Sequence, residues 1–134
     1  QVMCASPAYL AQHGIPQRPE DLSQHTIVTA TGLTPTPELR FADDLKIRVQ
    51  PRMTTTTNES AAAMAIAGFC LTRLPLYQIA AAVQRGELQL VLEEFEHPAV
   101  PIHVVHREGR NAPSKVRTFI DMAVEALRKD ASLQ

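Results

Sequence analysis

The side chains able to do acid–base or nucleophilic chemistry are thinly spread. Five histidines occur, His13, His25, His97, His103 and His106, and none meets another at the HxxxH spacing that sets two imidazoles on one helix face. His103 and His106 fall in one extended run, where their separation points them to opposite faces. No CxxC accompanies them, so no metal site is expected. Glu93, Glu94 and Glu96 follow an apolar run and read as a solvated turn. Threonines are plentiful, but a threonine without a positioned base or a free amine is inert. There is no GxSxG elbow, P-loop or GxGxxG. No catalytic residue and no cofactor is expected, and an enzyme is the weaker hypothesis.

Hydroxyls are the better lead. TTTTNES at 54–60 runs straight into AAAMAIAG. A strand over 25–30 runs out into Thr29-Ala30-Thr31-Gly32, followed by Leu33. A strand before the alanine-rich helix runs out into Thr55-Thr56-Thr57-Asn58, and one over 69–74 into Thr72-Arg73-Leu74-Pro75. In open α/β sheets ligands gather outside the carboxyl ends of parallel strands. Helix 59–67 would bring backbone N–H groups and its positive dipole end to the same edge, which suits a small anion, most simply a carboxylate. Each residue has a plainer reading too. Asn58 is an ordinary N-cap, the threonines are ordinary β-formers, Arg73 can reach solvent, and Thr31-Gly32 can be only a turn.

The elements that would position these groups alternate. VMCA at 2–5 is a short apolar strand. AYLAQHG reads as a helix ended by Gly14, and Pro19-Glu20-Asp21-Leu22 as a brief helical turn. Leu45, Ile47 and Val49 alternate with Lys46, Arg48 and Gln50 as on a half-exposed strand, which Pro51 interrupts. Helices follow at 59–67, ended by Gly68, and at 76–86, and VPIHVVHRE at 100–108 reads as a strand. Val116, Phe119, Ile120, Ala123, Val124 and Leu127 make one apolar stripe on a last helix, which must fold back, swap or dimerise to be covered. Strands separated by helices of about ten residues predict a mostly parallel α/β sheet.

Composition is compatible with this. The chain has 134 residues, 45% hydrophobic and 20% charged, with a formal charge of -1. Acids and bases are mixed along it, so no basic face for nucleic acid is expected. No apolar run nears the roughly 20 residues that cross a bilayer, and QVMCASPAYL lacks the pattern of a secretory leader. Cys4 and Cys70 lie in apolar surroundings and read as reduced, buried thiols of a cytoplasmic protein. A first residue of Gln1 suggests a piece of a longer chain.

ASPAYLAQHGIPQRPEDLSQHTIV, ESAAAMAIAGFCLTRLPLYQIAAAVQRGELQLVL and VPIHVVHREGRNAPSKVRTFIDMAVEAL resemble, in order and spacing, the C-terminal half of a LysR-type transcriptional regulator. The resemblance covers nearly the whole chain. It implies a Rossmann-like subdomain of a type 2 periplasmic-binding-protein-like fold. Residues 1–7 would be a first crossing strand, 8–103 the effector-binding half, and 104–134 a returning strand and helix of the other subdomain. It implies a small organic, anionic effector in an inter-subdomain cleft, contacted at Thr29 to Leu33, at the start of helix 59–67 (Thr57, Asn58) and at Arg73. DNA would be bound only by an N-terminal winged helix-turn-helix domain outside this sequence. Further implied partners are RNA polymerase and copies of the same chain in a homodimer or homotetramer, with no membrane. The family usually has glycine where Cys70 stands and an aliphatic residue where Arg73 stands. A transporter solute-binding protein shares the fold and stays open as an alternative. So does a deaminase of a tetrapyrrole precursor pathway, although neither cysteine lies in the polar loop that its cofactor would need.

Overall fold

Val2–Ala5 forms strand β1, and its uninterrupted apolar character has a simple cause: both of its faces are covered. Met3 and Ala5 enter one buried cluster with Tyr9, Leu22, Ile27, Phe41 and Leu71. Cys4 enters another with Val28, Ala61, Ala65, Leu74 and Ile79. Burying a side chain such as Phe41 or Leu71 contributes about 1.5–3 kcal/mol, whereas an exposed ion pair contributes about 0–1 kcal/mol, so these clusters dominate the fold.

The computed structural model describes residues 1–30, 38–105, 107 and 113–130. After β1 come helix α1 (Pro7–His13), a 3-10 turn (Pro19–Gln24), β2 (Val28–Ala30), β3 (Glu38–Arg40), β4 (Lys46–Arg48) and β5 (Met53–Thr55). Then follow α2 (Asn58–Ile66), β6 (Thr72–Leu74), α3 (Leu76–Gln84), β7 (Gln89–Val91), a second 3-10 turn (Glu93–Phe95) and α4 (Ser114–Lys129). Local signals explain most boundaries. Ser6 caps α1 by accepting from the Tyr9 N–H at 3.2 Å, and the helix stops at Gly14, whose φ of 87° favours glycine. Asp43 and Asp44 turn the chain between β3 and β4 with φ of 55° and 58°, a conformation that aspartate tolerates better than most residues.

β2 and β5 are parallel, and a parallel bridge from Ile27 to Leu71 places β2 beside the start of β6. β1 lies between β6 and β7 and runs antiparallel to both, with Met3 opposite Arg73 and Cys4 opposite Thr72. β3 and β4 form a separate antiparallel hairpin. Pro51 separates β4 from β5, which belong to different sheets.

The chain divides into two compact units, Gln1–Pro98 and Ala99–Gln134. In the second, the expected strand over 100–108 is not formed across the described residues 100–105. Pro101 offers no ladder N–H, no described strand pairs with the run, and Val100 and Val105 stay more than four-fifths exposed, at 81% and 89%. His106 lies outside the described residues, so the expected placement of the His103–His106 pair on a strand has only its unpaired half described. α4 forms as expected, but none of its residues is buried, and Phe119 is 71% exposed. No helix among the described residues is long and apolar enough to cross a membrane.

Candidate functional site

The parallel register aligns hydroxyls at one edge of the first unit. Thr29 lies opposite Thr54 and Ala30 opposite Thr55, and the Thr29 and Thr54 hydroxyl oxygens are 3.4 Å apart. The Thr55 hydroxyl donates to the Thr57 carbonyl at 2.9 Å, which folds the chain from the end of β5 into α2. Parallel pairing fixes this arrangement, because both strands end at the same level and neither needs to turn back there.

α2 is capped by Thr57, not by Asn58. The Thr57 hydroxyl oxygen accepts from the Ser60 N–H at 3.2 Å, and the hydroxyl donates to the Ser60 side chain at 3.0 Å. Thr57 keeps the extended backbone that a cap requires, with φ −128° and ψ 152°. That puts Asn58 inside the first turn, where its amide donates to the Gln78 side chain at 2.8 Å and links α2 to α3. The cap reading of Asn58 is therefore corrected: four threonines, Thr54 to Thr57, precede the helix, and Thr57 is the one whose oxygen reaches the N–H of Ser60, the third helical residue. The first-turn N–H groups have no intrahelical acceptor, and of these the Ser60 N–H is taken by the Thr57 hydroxyl. Glu59 also lies in that turn, where it suits the helix dipole but opposes an incoming anion.

Arg73 differs from the other expected site residues. Its side chain is only 10% exposed and forms an ion pair with Glu96, itself 6% exposed. The guanidinium also donates to the Arg40 carbonyl and lies 4.9 Å from the Phe41 ring centroid. The Glu96 carboxylate accepts from the Met3 N–H at 3.1 Å as well. Opposite Met3 on β1, Arg73 faces the cluster around Phe41, while its neighbours Thr72 and Leu74 turn with Cys4 to the other side of the sheet. Two sequence expectations change with this. Arg73 does not reach into solvent, and its charge is matched by Glu96. Glu96 is not part of a solvated turn, although Glu93 and Glu94 are exposed. Strand alternation could have put Arg73 on the Met3 face, but nothing local in the sequence names a partner 23 residues away.

Thr31, Gly32 and Leu33 lie outside the described residues. Thr29 and Ala30 are half-buried at the end of β2. A groove of about 290 Å³ runs along residues 15–17 and 90–94, and none of the expected site residues lines it. Cys4 and Cys70 are free and buried. Burial pushes the Cys4 thiol up to about 12, with the nearby Cys70 adding to the shift, and burial raises Cys70 to about 11. Thiols so rarely ionised are poor nucleophiles and poor ligands. Among the described residues no group of three or more His, Cys, Asp or Glu side chains could hold a metal ion.

Comparison with known proteins agrees with this architecture. The family described as LysR substrate binding domain matches residues 1–128. An uncharacterized HTH-type transcriptional regulator of Haemophilus influenzae is 31% identical over 115 residues, covering 84% of this chain and 40% of that protein. The HTH-type transcriptional activator AaeR of Escherichia coli is 28% identical over 124 residues, 90% of this chain and 40% of the relative. The chain thus spans about two-fifths of the length of the curated relatives it matches. Among solved structures, the regulatory domain of AphB from Vibrio vulnificus superposes with a TM-score of 0.71 at 19% identity, covering 93% of this chain and 63% of that one. The regulatory domain of CrgA from Neisseria meningitidis gives 0.69 at 24% identity, again covering 93% and 63%. The α/β, type 2 periplasmic-binding-protein-like fold implied by the motifs is the fold of these neighbours. The relatives bear the names of transcriptional regulators, not of enzymes or transport proteins. By its family match across residues 1–128, the chain belongs to the LysR substrate-binding domain family.

Proposed function

We propose that this chain is the effector-sensing part of a LysR-type transcription factor and that its effector is a small organic metabolite with an acidic group. The observation that carries the reading is the hydroxyl rim where Thr29 and Ala30 of β2 meet Thr54 and Thr55 of β5 at the start of α2. Thr57 and Asn58 extend the rim, and Thr31, Gly32 and Leu33, the next residues in the sequence, lie outside the described residues. The first-turn N–H groups of α2 take the acidic group, and the threonine hydroxyls read the rest of the molecule. Arg73 is left out, since Glu96 neutralises it. In the intact regulator, DNA is bound by a domain outside this chain, and effector occupancy controls that binding.

Calorimetric titration of this chain with a panel of organic acids tests the site. Thr29→Val combined with Thr54→Val keeps the β-branched shape and removes both hydroxyls. For the ligand that binds, the double variant is expected to weaken affinity at least about tenfold, as two lost hydrogen bonds imply. Unchanged affinity for every binding acid would remove the rim from the site.

A further inference from the structure

The Arg73–Glu96 pair joins segments that are distant in sequence. Glu96 holds the Met3 N–H of β1 and the Arg73 guanidinium of β6 on one carboxylate. The same guanidinium reaches the hairpin, at the Arg40 carbonyl and the Phe41 ring. The hairpin turn is tied back independently, since the Ala42 N–H donates to the Phe95 carbonyl at 2.8 Å. Glu96 stands just before Pro98, where the first compact unit ends. Arginine suits this place because its rigid fork serves two acceptors in different directions at once, which a lysine ammonium on a flexible stem does not.

Two local costs are gathered at the same place. Leu92, a buried leucine, takes the left-handed conformation with φ of 59°. The Arg73 Nε is buried without an acceptor among the described residues. Costs of this kind persist only where the surroundings over-determine them, and they concentrate at switch segments.

We infer that the Arg73–Glu96 pair is a clamp that holds the chain's exit from the unit Gln1–Pro98 in register with β1 and the β3–β4 hairpin, so that hairpin and exit move as one. Whatever shifts the hairpin is then transmitted to residues 93–98, and the reverse. The inference stands on this geometry and does not depend on which ligand, if any, the threonine rim takes.

Amide hydrogen exchange followed by NMR on this chain tests it. Glu96→Gln and Arg73→Lys are each expected to speed exchange roughly tenfold or more at Met3, Phe41 and Ala42 together, with Val28 and Arg52 in the parallel sheet unchanged. An equal rise at Val28 and Arg52 would show mere global destabilisation and overturn the clamp. So would faster exchange at Met3 with Phe41 and Ala42 unmoved. If the single variants fail to fold, Arg73→Met with Glu96→Met fills the space with apolar groups and keeps the fold. It is expected to exchange fast at Met3, Phe41 and Ala42 alike, and wild-type rates at Phe41 and Ala42 in that variant would overturn the proposal.

Discussion

β2 and β6 start side by side at the parallel Ile27–Leu71 bridge, yet their polar residues are used in opposite ways. Thr29 keeps its hydroxyl at a half-buried rim, beside the hydroxyl of Thr54. Arg73 is withdrawn to the face of the sheet that carries Phe41 and is matched by Glu96. The difference follows from desolvation. A neutral hydroxyl can wait at a rim at little cost, whereas a guanidinium that is nine-tenths buried must be paired. The more conspicuous charge is therefore the structural one, and the modest hydroxyls are those on which the proposed site rests.

The sharpest way to break that contrast is to remove one charge. Glu96→Ala leaves the buried Arg73 unpaired and is expected to lower unfolding free energy by about 3–5 kcal/mol in a urea titration. A loss below about 1 kcal/mol would mean that the pair behaves like a surface bridge and that the contrast is false. A smaller effect belongs to the rim side: Thr57→Ala removes the α2 cap and is expected to cost about 1 kcal/mol, while Asn58→Ala, which removes no cap, costs less. Equal losses measured by urea unfolding would return the cap to Asn58.

The smallest effect concerns the entrance to β2. Burial, with the charge of His13 adding, holds the His25 imidazole below its ordinary pKa, and Asp21 pulls it weakly the other way. The Tyr9 hydroxyl accepts from the Thr26 N–H at 2.9 Å and lies 3.2 Å from His25 Nδ1, a nitrogen it can donate to only while that nitrogen is unprotonated. A group whose folded pKa is depressed below its unfolded value binds more protons when unfolded. Stability is therefore complete above the ordinary imidazole pKa and declines as pH falls from there through the lowered folded value. Thermal unfolding across that window is expected to show the decline in wild type and to lose that part of it in His25→Gln; identical pH profiles would contradict the burial of the neutral form.

Much of the fold was legible because its signals are local. Gly14, Pro51 and Gly68 each act within a few residues of themselves, and each falls at an element boundary. The strand read into 100–108 does not form over the described residues 100–105 for the opposite reason, since alternation makes a strand only when a neighbouring ladder accepts it. The site divides in the same way. The hydroxyl-rich ends of β2 and β5 could be read from composition and placed by the parallel-sheet rule, but the cap moved by one residue because cap geometry depends on where the backbone turns. Arg73 was visible as a departure from the family pattern, and its destination was not visible.

By itself, then, the amino-acid order determined the alternating strands and helices, the buried thiols, the family motifs and the threonine-rich strand ends, all of which rest on short-range periodicity and backbone preference. Only the tertiary structure decided that Arg73 belongs to Glu96, Met3 and the hairpin and not to the rim. The pairing of a buried charge is set by which distant groups the packed sheet brings within hydrogen-bond reach.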